Sequence, residues 1–208
     1  MVKQKVERGA DPARTVRAQA LLDAAETLLE QGGVNALSAR AVAERAGVNK
    51  GLVFYYWGST TGLFEQVLTR YYERHKASLA EAFLLEGPLR ARFHHVVDVY
   101  LDFMDEHDAY ARIVQQQIAS GGAHLPLVKK HLQEVLSLTT EMLAPLTPKQ
   151  GPTSAKHFHV SLSAVVINWV TYGPVLLGEE ASSRAMRAER RQHVHWVVDA
   201  WLDKLEAG

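Results

Sequence analysis

Between residues 38 and 59 the chain gathers side chains suited to meeting a nucleic acid: small apolar residues, a central glycine, and a cluster of hydroxyl, amide and cationic groups. Val42, Ala43 and Ala46 make a short apolar face that stops at Gly47. Gly47 takes a positive φ at no steric cost, and small Ala43 lets a second helix cross closely, which is what a helix-turn-helix requires. Val48 and Val53 lock that second helix in place, and the segment from Asn49 to about Tyr56 is expected to lie in the major groove. Lys50 is suited to donate to guanine O6 or N7 or to a phosphate, while Asn49 either reads a base or caps the helix. Tyr55 is expected on the groove face, its ring against a thymine methyl, and Gly51 lets the backbone approach DNA.

Histidines invite a second chemical reading, at His94-His95, at His157 with His159, and at His193 with His195. Residues one or two apart on a helix point to different faces, whereas chelating pairs want three or four. These are read as surface histidines, and no metal site is expected. The chain has no cysteine, so disulfide and thiolate chemistry are absent, which suits the cytoplasm. No nucleophile motif, phosphate loop or metal-ligand spacing appears, so neither an enzymatic activity nor a cofactor is expected.

The elements that must position these groups read as helices throughout. Leu21, Ala24, Ala25, Leu28 and Leu29 repeat at helical spacing and close at Gly32-Gly33, predicting a first helix over 13–31. Ser38 stands at an N-cap, a second helix of about two turns ends before Gly47, and a long helix over 60–85 carries Leu63, Phe64, Val67, Leu68 and Tyr71 in one stripe. Five more are predicted at 89–108, 109–120, 125–146, 155–177 and 184–205. The fold class is all-α, an amino-terminal three-helix helix-turn-helix head (1–60) with a larger helical ligand-binding and dimerisation domain (61–208). No apolar run is expected to approach the roughly 18 to 20 residues that span a bilayer, and residues 1–17 lack the apolar core of a secretory signal.

The run Ala43-Glu44-Arg45-Ala46-Gly47-Val48-Asn49-Lys50-Gly51-Leu52-Val53-Phe54-Tyr55-Tyr56-Trp57-Gly58-Ser59 resembles the signature of the TetR family of transcriptional regulators. The upstream Gly32-Gly33 and downstream Leu63-Phe64 also fit, so the resemblance covers about residues 15 to 70. It implies that Arg40 reaches a base edge or phosphate and that Ser38, Tyr56 and Ser59 contact phosphates. Trp57 is expected in the core. Leu52, Phe54 and Thr60 stand where family members commonly carry Thr or Ser, Tyr, and Lys, so three phosphate donors are weakened or missing. The cations of the amino-terminal tail, Lys3, Lys5, Arg8, Arg14 and Arg17, are candidates to compensate from the minor groove.

Formal net charge is +0, but residues 1–80 hold eleven Lys/Arg against eight Asp/Glu, a modest excess on the DNA-binding side. One helix-turn-helix makes too few base contacts for useful specificity, so a homodimer on a pseudo-palindromic double-stranded operator is expected. Leu162, Val166 and Trp169, with Val194, Val198, Trp201 and Leu205, form apolar stripes on the last two helices, and the resemblance makes them the interface. The helix over 155–177 is apolar nearly all round, which implies burial on two sides. On its second side Ser161, Val165, Asn168 and Tyr172 recur at helical spacing, and Tyr100, Phe103, Met104, Tyr110 and Gln117 are candidates to complete a small-molecule cavity. The function expected is a ligand-responsive cytoplasmic repressor, the rival being an all-helical interaction or carrier protein that does not bind DNA.

Overall fold

The computed structural model describes residues 12–207, with side chains from residue 15 onward. Among these are nine α-helices and no strand. Helix α1 (Pro12–Gly32) buries Leu21, Leu22, Ala24, Ala25 and Leu29 and packs on α2 (Ala39–Ala46) and α3 (Gly51–Trp57). Ser38 caps α2, its Oγ accepting from the Ala41 amide at 3.1 Å. Gly47, at φ 65°, ends α2 in the left-handed conformation, its N–H directed to the Ala43 and Glu44 carbonyls. Helix α3 starts at Gly51 rather than Asn49, because Asn49 folds its own side chain into the turn: Oδ1 accepts from the Gly51 amide at 2.7 Å.

Helix α4 (Thr60–Phe83) follows directly, with Ser59 at its head accepting from the Gly62 amide at 3.0 Å. The chain divides into two compact units, Met1–Thr69 and Arg70–Gly208, and the division falls inside α4. The second unit continues with α5 (Leu89–Glu106), α6 (Asp108–Ser120), α7 (Leu125–Leu143), α8 (Ala155–Leu177) and α9 (Arg184–Glu206). Helix α5 packs on α8 and α9, α7 packs on α6 and α8, and α6 packs on α8. The predicted helices are all present, with ends shifted by up to three residues: α4 stops at Phe83, α7 at Leu143 and α5 at Glu106.

A buried cation ties three of these helices together. Arg190 on α9 reaches Asp105 Oδ1 on α5 at 2.8 Å and the Val166 carbonyl on α8 at 2.9 Å, with its guanidinium 5.4 Å from the Trp169 ring centre. Burial pulls its pKa down against the opposing pull of Asp105. Such a pair adds little net stability over an apolar equivalent, yet deleting one partner leaves a buried charge uncompensated.

One expectation about α8 needs correcting. From His157 to Gly178 the chain contains no Asp, Glu, Lys or Arg, and the segment Ala155–Ser182 is long and apolar enough, by length and composition, to cross a bilayer. Scattered Ser, Asn, Thr and His break the run and hide it from a count of consecutive apolar residues. Only 17% of its most apolar stretch is buried within the chain.

Candidate functional site

Helix α3 buries one residue, Val53, and turns Gly51, Phe54 and Tyr55 outward. Phe54 is 50% exposed and Tyr55 64% exposed, both far above what an inward-facing aromatic would show. Tyr55 therefore stands on the outer face as expected. Phe54 belongs there too, a position passed over because it lacks a hydroxyl. Lys50 is exposed at the amino end of the same helix, whereas Trp57 and Tyr56 are half-buried with ring centres 5.4 Å apart.

The polar candidates around α3 are partly engaged. Arg40 is exposed but lies 2.7 Å from Glu44, a surface pair cheap enough to open for a phosphate. The Glu44 hydrogen bond, followed by its charge, raises the Arg40 pKa. Ser38 and Ser59 each accept from a backbone amide, but a capping hydroxyl uses only an acceptor lone pair and keeps its proton for a phosphate oxygen. At Gly51 an added Cβ would stand 3.1 Å from Asn49 Oδ1, so this glycine protects the Asn49 turn as well as offering bare backbone. Of the tail, Lys3, Lys5 and Arg8 lie outside the described residues, as does the side chain of Arg14; Arg17 is exposed on α1.

The second unit holds a cavity of about 590 Å³, partly open to solvent, between α4, α5, α6, α7 and α8. Tyr100, Met104 and Asn168 line it. Phe103 and Tyr110 instead pack one layer behind: Phe103 stacks 4.7 Å from His75, and Tyr110 stacks 4.6 Å from Tyr71. Gln117 and Tyr172 are not part of the lining, and Tyr172 is exposed. On α8 the wall is Val160, Ser163, Ala164, Ile167 and Asn168 rather than the Ser161, Val165 and Tyr172 stripe, a rotation of the helix that its near-uniform apolarity leaves unmarked.

The groups missed are the polar ones deep in the wall: Tyr72, His75, His159 and Ser163. Burial holds the His75 pKa down to about 4, helped by neighbouring His159 and His107, and burial also lowers that of His159. The Tyr100 phenol, hydrogen-bonded to Ser163, is pushed up to about 12 by burial. Every deep titratable group is thus neutral near pH 7. Lys129 lines the cavity from an exposed position.

The predicted dimer stripes are divided between interior and surface. Val166, Val194 and Val198 are buried within their own chain. Trp201 packs 4.2 Å from Phe158 and 5.6 Å from Phe93, and Trp169 lies beneath Arg190. Leu162 and Leu205 are half-buried. The apolar groups that α8 and α9 leave outside are different: Tyr172, Val175 (80% exposed), Leu176 (77%) and Trp196 (66%).

His157 and His193 are exposed, as surface histidines, whereas His94 and His195 are half-buried. His94 and His195 stack across α5 and α9 at 4.1 Å, each held 2.8 Å from a carboxylate, Asp199 and Asp98 respectively. A donor cluster with chelating spacing occurs instead at His131 and Glu134 with Glu73, their ligand atoms within 4.8 Å of one another. There the Lys76 ammonium already reaches both carboxylates, at 2.7 and 2.6 Å.

Three helices, the last two short, with a left-handed glycine between the second and third and an outward face of rings, amide and lysine, define a helix-turn-helix DNA-binding head. Residues 21–67, which span this head, match the family model of bacterial regulatory proteins, tetR family. No curated protein matches the sequence. Among solved structures, a protein assigned to the TetR family from Rhodococcus sp. aligns over 89% of this chain and 98% of its own, at 19% identity and TM-score 0.71. A TetR-family regulator from Streptomyces coelicolor aligns over 96% of this chain and 84% of its own, at 21% identity and TM-score 0.62. The fatty acid degradation regulator FadR from Bacillus halodurans aligns over 90% and 97%, at 14% identity and TM-score 0.65. At these identities the likeness is one of fold.

Proposed function

We propose that the chain is a cytoplasmic, ligand-responsive repressor: a homodimer that leaves a pseudo-palindromic operator when a small hydrophobic or amphipathic molecule enters the second unit. The cavity carries this reading. It is large, walled mostly by apolar side chains and set with a few fixed polar groups, as small-molecule sites are. Helix α4 gives the link. It supplies Tyr71, Tyr72 and His75 to the cavity wall and begins at Thr60, directly after the recognition helix. A ligand that binds one setting of α4 better than another shifts the balance between them, and half-sites of fixed spacing tolerate only one. The name of the Bacillus halodurans relative fits an apolar effector. A carrier that ignores DNA leaves the head unexplained.

For pairing, the reading moves the partner face to Tyr172, Val175, Leu176 and Trp196, which are apolar and uncovered in the single chain. For base reading, the bets are Lys50, Asn49, Tyr55 and Phe54, with Ser38, Arg40, Tyr56 and Ser59 on phosphates. The test is a gel shift on operators selected from random DNA, over a salt series. Wild-type binding falls as salt rises, Lys50→Ala relaxes sequence preference by about 1–3 kcal/mol at one position, and an apolar ligand that fills the cavity releases the DNA. Operator affinity blind to every ligand that binds would falsify the ligand-responsive part.

A further inference from the structure

The hydrogen bonds behind the cavity wall specify what a ligand must offer. Thr139 Oγ1 donates to the Val135 carbonyl at 3.1 Å, which commits the hydroxyl proton to the helix backbone. His159 Nδ1 lies 3.1 Å from the same Oγ1. With the proton of Thr139 already used, Nδ1 must be the donor in that contact, so the neutral ring carries its proton on Nδ1 and leaves Nε2 as a bare acceptor. His159 lines the cavity, and its contact with Thr139 engages Nδ1. Around it the lining is largely aliphatic on α6 to α8 (Val114, Ile118, Val128, Leu132) and aromatic on α4 and α5. Lys129 is the one Lys, Arg, Asp or Glu in that lining, and it sits at an exposed position, so a charge carried into the interior would lose its water without gaining a counter-ion.

We propose that the cavity takes an uncharged amphiphile bearing a hydroxyl, an alcohol or phenol with an apolar tail, whose O–H donates to His159 Nε2. The proposal rests on the cavity being the effector site. Thr139 acts as a positioning residue, setting which ring nitrogen is left to accept.

Three matched probes separate the chemistry: 4-hexylphenol, its methyl ether 4-hexylanisole, and 4-hexylbenzoate, titrated calorimetrically into the full-length protein at pH 7.5. The phenol is expected to bind about tenfold more tightly than the ether, the scale of one buried hydrogen bond left unmade, and the benzoate more weakly still. His159→Phe should bring the phenol-to-ether ratio near one. Thr139→Val keeps the ring but frees its tautomer, and should lower the ratio several-fold without abolishing binding. If the ether or the benzoate binds as tightly as the phenol, or if both variants keep the wild-type ratio, the hydroxyl assignment is wrong while the effector cavity stands. If none of the probes binds, both fall.

Discussion

His75 shows how one side chain links burial to pH. It stacks 4.7 Å from Phe103 and 5.3 Å from Tyr100, its Nε2 has no hydrogen-bond partner, and burial holds its pKa down from 6.5 to about 4. Unfolded, it takes up a proton near pH 6.5; folded, it does so only near 4. Between these values the unfolded chain binds more protons, so the stability that depends on a neutral His75 is complete above about pH 6.5 and is lost as pH falls toward 4. From pH 7 to pH 5 the loss is about 2 kcal/mol by linkage. Urea unfolding should therefore show His75→Phe, which keeps the stacking and removes the titration, losing less stability than wild type over that interval. Equal losses would show that His75 is not held neutral.

At the level of elements, the head and the cavity differ in how their residues are placed. Ser38, Gly47 and Asn49 act within a few residues of their own positions, capping or turning the backbone beside them, so their roles can be read from local sequence. Gly47→Ala forces a side chain to φ 65° and is expected to cost about 1 kcal/mol, seen as a lower thermal midpoint; an unchanged midpoint would mean the turn is not left-handed. The cavity offers no such local signal. His75, His159 and Ser163 meet only because five helices pack, and α8 is apolar on so many sides that its period does not say which face is inward. The same ambiguity turned the dimer stripe: Val194 and Val198 recur as regularly as any interface pair, but α5 covers them, and Trp196 between them faces out.

For the whole molecule, the uncovered apolar face of α8 and α9 and the single short recognition helix argue for the same assembly. Trp196→Glu changes an exposed residue, so it should leave helical content intact while producing a monomer in sedimentation velocity. Operator affinity should fall by roughly two orders of magnitude or more, because the second half-site no longer adds its effective concentration. A Trp196→Glu dimer would move the interface elsewhere. The turn that starts each recognition helix also bears on the bases it is expected to meet. Asn49 Oδ1 accepts from the Gly51 amide, which spends one of its two lone pairs and tethers the side chain to the turn, so the donor-acceptor fork that grips adenine is held back. Beside it stand the Lys50 ammonium and two aromatic rings. Such a helix has donors for guanine's acceptors and apolar surface for thymine's methyl, whereas its acceptors for the amino groups of cytosine or adenine are the tethered Asn49 oxygen and the tyrosine hydroxyls. The half-sites are therefore expected to favour G and T along the strand that faces α3, with the inverted repeat of that sequence on the other arm.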